Sequence, residues 1–145
     1  GTFAAVRELF FADWASNDES LATIKRVYDE YGYLMDPHTA VAWEVAERLR
    51  GEDPVLVVST AHWAKFGADV YRALTATPYD GPLAGAAAEM SGLDLLAEVR
   101  RIAPHAGPVP APLAEIACLE QRFSDVVDAG RDGVESAVRE WLQRS

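Results

Sequence analysis

Two lysines, one cysteine and no apolar run approaching the ~20 residues of a bilayer span mark this 145-residue chain by what it lacks. A lone cysteine, Cys118, closes no internal disulfide, and with no second cysteine or nearby histidine it makes no zinc site, so it reads as a small buried apolar residue. Basic residues number 13 against 23 acidic ones, a formal net charge of -10, which argues against a nucleic-acid surface built from clustered Lys and Arg. There is no Gly-rich phosphate loop, no G-x-S-x-G elbow, no H-E-x-x-H and no paired-cysteine motif. With only Lys25 and Lys65 available, Schiff-base chemistry has little room, and Lys25 sits on the polar face of a helical pattern. No apolar segment with basic flanks reads as a signal peptide, so the expected location is cytoplasmic, with no membrane partner. The chain begins Gly-Thr-Phe without an initiator methionine, which suggests a processed or truncated product.

What is present is mostly helical punctuation. Phe3, Val6, Leu9, Phe10 and Trp14 recur at close to a helical repeat. Ser16 and Glu19 have the spacing of a capping box ahead of Leu21, Ile24, Val27, Tyr28 and Tyr31, and Gly32 is placed to end that helix in the left-handed conformation. Asp36 before Pro37 starts a third helix, whose expected apolar face is Val41, Val45 and Leu49, with Glu44, Glu47 and Arg48 opposite and Gly51 as the stop. "PVLVV", residues 54–58, is β-branched and apolar without alternation, the pattern of a strand covered on both faces. After it, Phe66, Val70, Ala73 and Leu74 share a helical face, "LDLLAEVRRI" is a short amphipathic helix, and "APHAGPVPAP" is a stiff connector. "PLAEIACLEQRF" and the closing "DGVESAVREWLQRS", with Val134, Val138, Trp141 and Leu142 on one face, complete the pattern. Helix, strand, turn, helix is the order of an α/β protein, although one strand makes no sheet.

Chemistry-bearing side chains gather in "STAHWAKF", directly behind the expected strand, where α/β proteins place ligands. Ser59 and Thr60 can donate or accept, His62 can move a proton, and Lys65 can offset an anion. Each also has a structural reading: a cap, a surface imidazole, a solvated charge. His38 reads as a hydrogen-bonded turn residue beside a helix start, and His105 as exposed in the connector.

"GYLMDPHTAVAWEVAERL" followed by "VVSTAHWAKF" resembles the C-terminal part of threonine synthases, whose signatures read like DPHTAV, a helix, then STAHPAKF. The resemblance extends back through "DESLATIKRVYDEYGY" and, more loosely, forward through "VPAPLAEIACLEQRF". It implies a pyridoxal 5'-phosphate enzyme of the tryptophan synthase β-like α/β fold type, which converts O-phospho-L-homoserine and water to L-threonine and phosphate. This chain would be a helix-rich C-terminal part of the large domain with few strands of its own. Residues 1–103 would belong to the cofactor-binding domain and residues 104–145 to a C-terminal extension.

In that family the cofactor-bearing lysine and the phosphate loop precede this segment, so the segment alone is expected to be inactive, with the preceding part of the enzyme as its partner. Thr60 resembles the hydroxyl that contacts the pyridine nitrogen, with Ser59 the neighbouring candidate; His62 and Lys65 would face the small-molecule substrate if the turn between them is helical. Asp36, Thr39 and His38 would order the start of the third helix and brace the neighbouring loop. Where the family pattern has proline, this chain has Trp63, either as packing or as the mark of a changed substrate pocket. Two other readings stay open: a free-standing binding module that buries its apolar faces by self-association, and part of a sister phospho-amino-acid lyase.

Overall fold

The computed structural model describes residues 2–120 and 126–144. Among the described residues seven α-helices run in chain order: α1 Thr2–Leu9, α2 Asn17–Tyr31, α3 Pro37–Leu49, α4 Gly67–Thr75, α5 Gly92–Ile102, α6 Ala111–Glu115 and α7 Arg131–Arg144. Short 3-10 turns at Trp63–Phe66, Gly85–Glu89 and Ile116–Cys118 join them. Among the described residues there is no strand, and no helix is long and apolar enough to cross a membrane. The last residues of the expected helix at 112–123, Gln121 to Phe123, lie outside the described residues.

Local chemistry fixes the helix ends. Ser16 Oγ accepts from the Glu19 amide while the Glu19 carboxylate accepts from the Ser16 amide at 2.7 Å, a reciprocal capping box. Gly32 closes α2 at φ +68°, its amide donating to the Tyr28 carbonyl at 2.8 Å. This conformation favours glycine, which has no Cβ to crowd the carbonyl. α5 begins at Ser91, whose hydroxyl accepts from the Asp94 amide.

α2 packs between α3 and α4, and α4 packs in turn on α5. The centre is apolar: Ile24 and Val27 of α2, Met35 of the following loop, Val70 of α4 and Val99 of α5 are all at most 1% exposed. Burying each such side chain contributes about 1.5–3 kcal/mol. Trp63, Ala64, Leu95 and Leu96 close this core, with Tyr28, Trp43 and Leu113 packed around it.

Three expectations are corrected. The 54–58 segment forms no strand, and Leu56 is 88% exposed, because a strand requires a neighbouring backbone for its amides and carbonyls and none is supplied among the described residues. α3 meets α2 through its expected polar side: Arg26 of α2 ion-pairs with Glu44 and Glu47, Thr23 donates to Glu44 at 2.7 Å, and the Trp43 indole donates to Glu47 at 2.9 Å. Val41 and Val45 are consequently only half-buried, and Leu49 is exposed. Cys118 is exposed instead of buried, since α6 and the turn after it lie at the margin of the core.

The α1 face forms only as far as Leu9 and is exposed, as are Val134, Val138, Trp141 and Leu142 of α7. The loop behind α1 is held by Arg48, which donates to the Trp14 carbonyl at 2.9 Å and to the Glu19 and Glu44 carboxylates.

Candidate functional site

The site begins at Asp36. Proline at the first position of α3 needs no hydrogen-bond acceptor, and the next two amides, of His38 and Thr39, donate to Asp36 Oδ1 at 3.0 and 3.4 Å. The Thr39 hydroxyl donates to Asp36 Oδ2, and His38 Nδ1 lies 3.2 Å from Oδ1. Asp36 is 1% exposed. Burial alone would push its carboxyl pKa up, but the hydrogen bonds from the Thr39 hydroxyl and from the Thr39 and His38 amides outweigh it and hold the group ionised below its usual range.

Thr39 Oγ1 lies 3.0 Å from Ser59 Oγ, and Ser59 Oγ lies 3.1 Å from the Ala61 carbonyl. A carboxylate only accepts, so the single Thr39 proton goes to Asp36, and the Ser59 proton is shared between Thr39 Oγ1 and the Ala61 oxygen. The His38 ring packs on Phe66 with centroids 4.8 Å apart. The "DPHT" and "STAHWAKF" stretches, 20 residues apart between Thr39 and Ser59, are therefore joined twice, once by hydroxyls and once by rings.

Thr60 follows with its side chain exposed. His62 is extended (φ -117°, ψ 141°) and caps the 3-10 turn, its Nδ1 accepting from the Ala64 amide at 3.2 Å, which leaves the neutral ring's proton on Nε2. It lines a cavity of about 290 Å³ with Tyr33, Asp36, Trp63 and His105. Lys65 is exposed and borders a different, largely apolar cavity of about 550 Å³ with Leu93, Leu96 and Leu113. His62 is not helical, so it and Lys65 are not brought to one face.

Trp63 is 3% exposed and belongs to the core; its Nε1 is buried with no hydrogen-bond partner among the described residues. Its side chain both packs in the core and walls the His62 cavity. Among the described residues no group of three or more His, Cys, Asp or Glu side chains could hold a metal.

The family model described as "Threonine synthase, C-terminal" matches residues 39–138. The chain belongs to the threonine synthase family. Similar curated relatives include threonine synthase-like 1 of Mus musculus, 46% identical over 70 residues that make up 48% of this chain and 9% of that protein. Threonine synthase of Schizosaccharomyces pombe is 40% identical over 76 residues, 49% of this chain and 15% of that protein. Threonine synthase of Pseudomonas aeruginosa is 36% identical over 69 residues, 46% of this chain and 15% of that protein. The matched part is thus less than a sixth of each relative's length. No solved structure matches the chain.

Within this threonine synthase C-terminal segment, sequence reasoning grouped Asp36, His38 and Thr39 at the helix entry, named Ser59 apart from them, and missed the hydroxyl contact that joins the two. The spacing Asp-Pro-His was the available signal: a capping aspartate two residues before a histidine can hold both its amide and its ring.

Proposed function

We propose that the chain forms the C-terminal part of a threonine synthase, an enzyme that converts O-phospho-L-homoserine and water to L-threonine and phosphate, with pyridoxal 5'-phosphate as cofactor in the intact enzyme. The Thr39–Ser59 contact carries this reading, because it ties the two family signatures into one wall and fixes the backbone that leads into Thr60. Pyridoxal phosphate supplies the electron-withdrawing ring that such a replacement at carbon requires.

The residues present fit one side of that ring. Ser59 and Thr60 are both exposed, but the Ser59 hydroxyl is engaged by Thr39 and Ala61. This favours Thr60 as the donor to the pyridine nitrogen, which a neutral hydroxyl would keep unprotonated. Asp36 and Thr39 set the start of α3, and His62, with its Nε2 proton, is the better placed of the two substrate candidates. Lys65 as a second substrate contact would require movement of the 3-10 turn.

The exposed 54–58 segment fits the same reading: Val55, Leu56 and Val58 would be covered by the preceding α/β part of the enzyme, or by self-association where that part is absent. The segment by itself would be inactive, since Lys25 is ion-paired with Asp29 and Lys65 lies on a separate cavity.

In an intact enzyme carrying this segment, Thr60→Val should weaken cofactor affinity by roughly tenfold, the worth of one hydrogen bond to the ring, while Ser59→Ala should leave it within a few-fold. Equal effects of the two substitutions, or phosphate release from O-phospho-L-homoserine by this chain alone, would refute the reading.

A further inference from the structure

A second cavity, of about 300 Å³, lies between the starts of α2 and α3 and the turn leading into α4. Its wall includes Asn17, His38, Phe66, Asp69 and Tyr79. At this volume it sits at the low end of the range for small-molecule sites.

The histidine in this wall is held in one form. Asp36 is ionised and can only accept, so its contact with His38 Nδ1 requires the neutral ring to carry its proton there, and the lone pair is left on Nε2. The His38 amide bonds the same carboxylate oxygen, and Phe66 packs against the ring, so its orientation is set from two sides. His38 is nevertheless 64% exposed, while its carboxylate partner is fully buried.

Among the described residues no Lys or Arg side chain lines the rest of this wall. Asp69 is its one formally charged side chain, offset on one side by Arg72 at 3.2 Å, and Asp36 stands behind the imidazole. Phe66 and Tyr79 offer aromatic surface of the kind that attracts cations.

We propose that Asp36 and His38 form a proton-accepting pair at a small-molecule site, and that the site takes a compact cation bearing a hydroxyl or amino donor, which bonds His38 Nε2. Asp36 is the positioning residue; His38 is the group that meets the ligand. The ligand-facing atom, His38 Nε2, lies on a different cavity from the one His62 lines, although Asp36 also anchors the Thr39–Ser59 contact behind Thr60.

Two measurements on the full chain test it. Long-range proton–nitrogen NMR should find the neutral His38 ring protonated at Nδ1, and Asp36→Asn, whose oxygen keeps the helix cap but accepts from the ring without a charge, should lower the fraction of the ring protonated at Nδ1. Diethyl pyrocarbonate, which acylates a ring nitrogen through its lone pair, should modify His38 faster than exposed His105, and Asp36→Asn should slow that reaction by roughly tenfold, the worth of one charge-assisted hydrogen bond.

Choline should shift the His38 ring signals saturably in the unsubstituted chain, and acetate at equal ionic strength should not. An Nε2-protonated ring in the unsubstituted chain, reactivity no greater than that of His105, a rate unchanged in Asp36→Asn, or choline shifts that fail to saturate or are matched by acetate would overturn the proposal.

Discussion

Replacing Asp36 by alanine should be among the most damaging single changes in this chain. The substitution removes the cap of α3, worth about 1 kcal/mol in typical helices. It also strips a buried acceptor from the His38 and Thr39 amides and from the Thr39 hydroxyl. Thr39 is 3% exposed, so water cannot replace that acceptor without opening the structure, and one buried unsatisfied donor costs about 1–3 kcal/mol. The hydroxyl can turn to Ser59 Oγ at 3.0 Å, which offsets part of the loss. The expected destabilisation is therefore about 2–4 kcal/mol by urea denaturation, with Asp36→Asn losing less because it keeps the cap.

The same carboxylate gives a pH signature. Its pKa is depressed in the fold, so its contribution is complete above the ordinary carboxylate range, near pH ~4, and is lost as pH falls through the lower folded value. Asp36→Ala should flatten that part of the acid-unfolding curve without abolishing it, because Glu19 and Glu47 are also depressed, by the Ser16 and Arg26 hydrogen bonds respectively. A loss below about 1 kcal/mol together with an unchanged acid limb would refute the assignment of Asp36 as a buried, ionised cap.

Arg26→Ala removes the guanidinium that bridges α2 to Glu44 and Glu47, but all three side chains keep 22–36% exposure. The cost should be only about 0.5–1 kcal/mol and should shrink further in high salt, which thermal melts at two ionic strengths would show. Ala76 ends α4 at φ +53°, a conformation that costs a non-glycine residue about 1 kcal/mol, so Ala76→Gly should raise stability by up to that amount in denaturant titrations despite the added unfolded-state freedom. Trp63→Ala should cost about 3–5 kcal/mol as a core cavity, whereas Trp63→Phe should cost distinctly less, since it also removes the unpartnered buried indole N–H. Paired urea curves of the two variants check this, and equal losses would contradict it.

The features legible in the sequence were those decided within about one helical turn. Ser16 with Glu19, Gly32 after Tyr31, and Asp36 before Pro37 each satisfy or terminate backbone groups two to four residues away, so the residues that make the cap are neighbours in the chain. The buried faces of α2 and α4 were legible for a related reason: Ile24, Val27, Val70 and Ala73 recur at the helical period and face one core. "DPHT" and "STAH" marked the family by their order and spacing, but not that Thr39 and Ser59 touch.

Tertiary structure decided which helix face met which. Val41, Val45 and Leu49 satisfy the helical period as well as any core face, yet α3 lies against α2 through Glu44, Glu47 and Trp43, because Arg26 and Thr23 stand opposite them. Periodicity reports that a face is apolar and cannot report what stands across from it. The 54–58 segment has strand composition without a partner for its ladder, a property of another stretch of backbone and not of its own residues. Likewise the Thr39–Ser59 contact and the packing of Phe66 on His38 join residues 20 and 28 positions apart, and only the packed chain brings them within bonding distance.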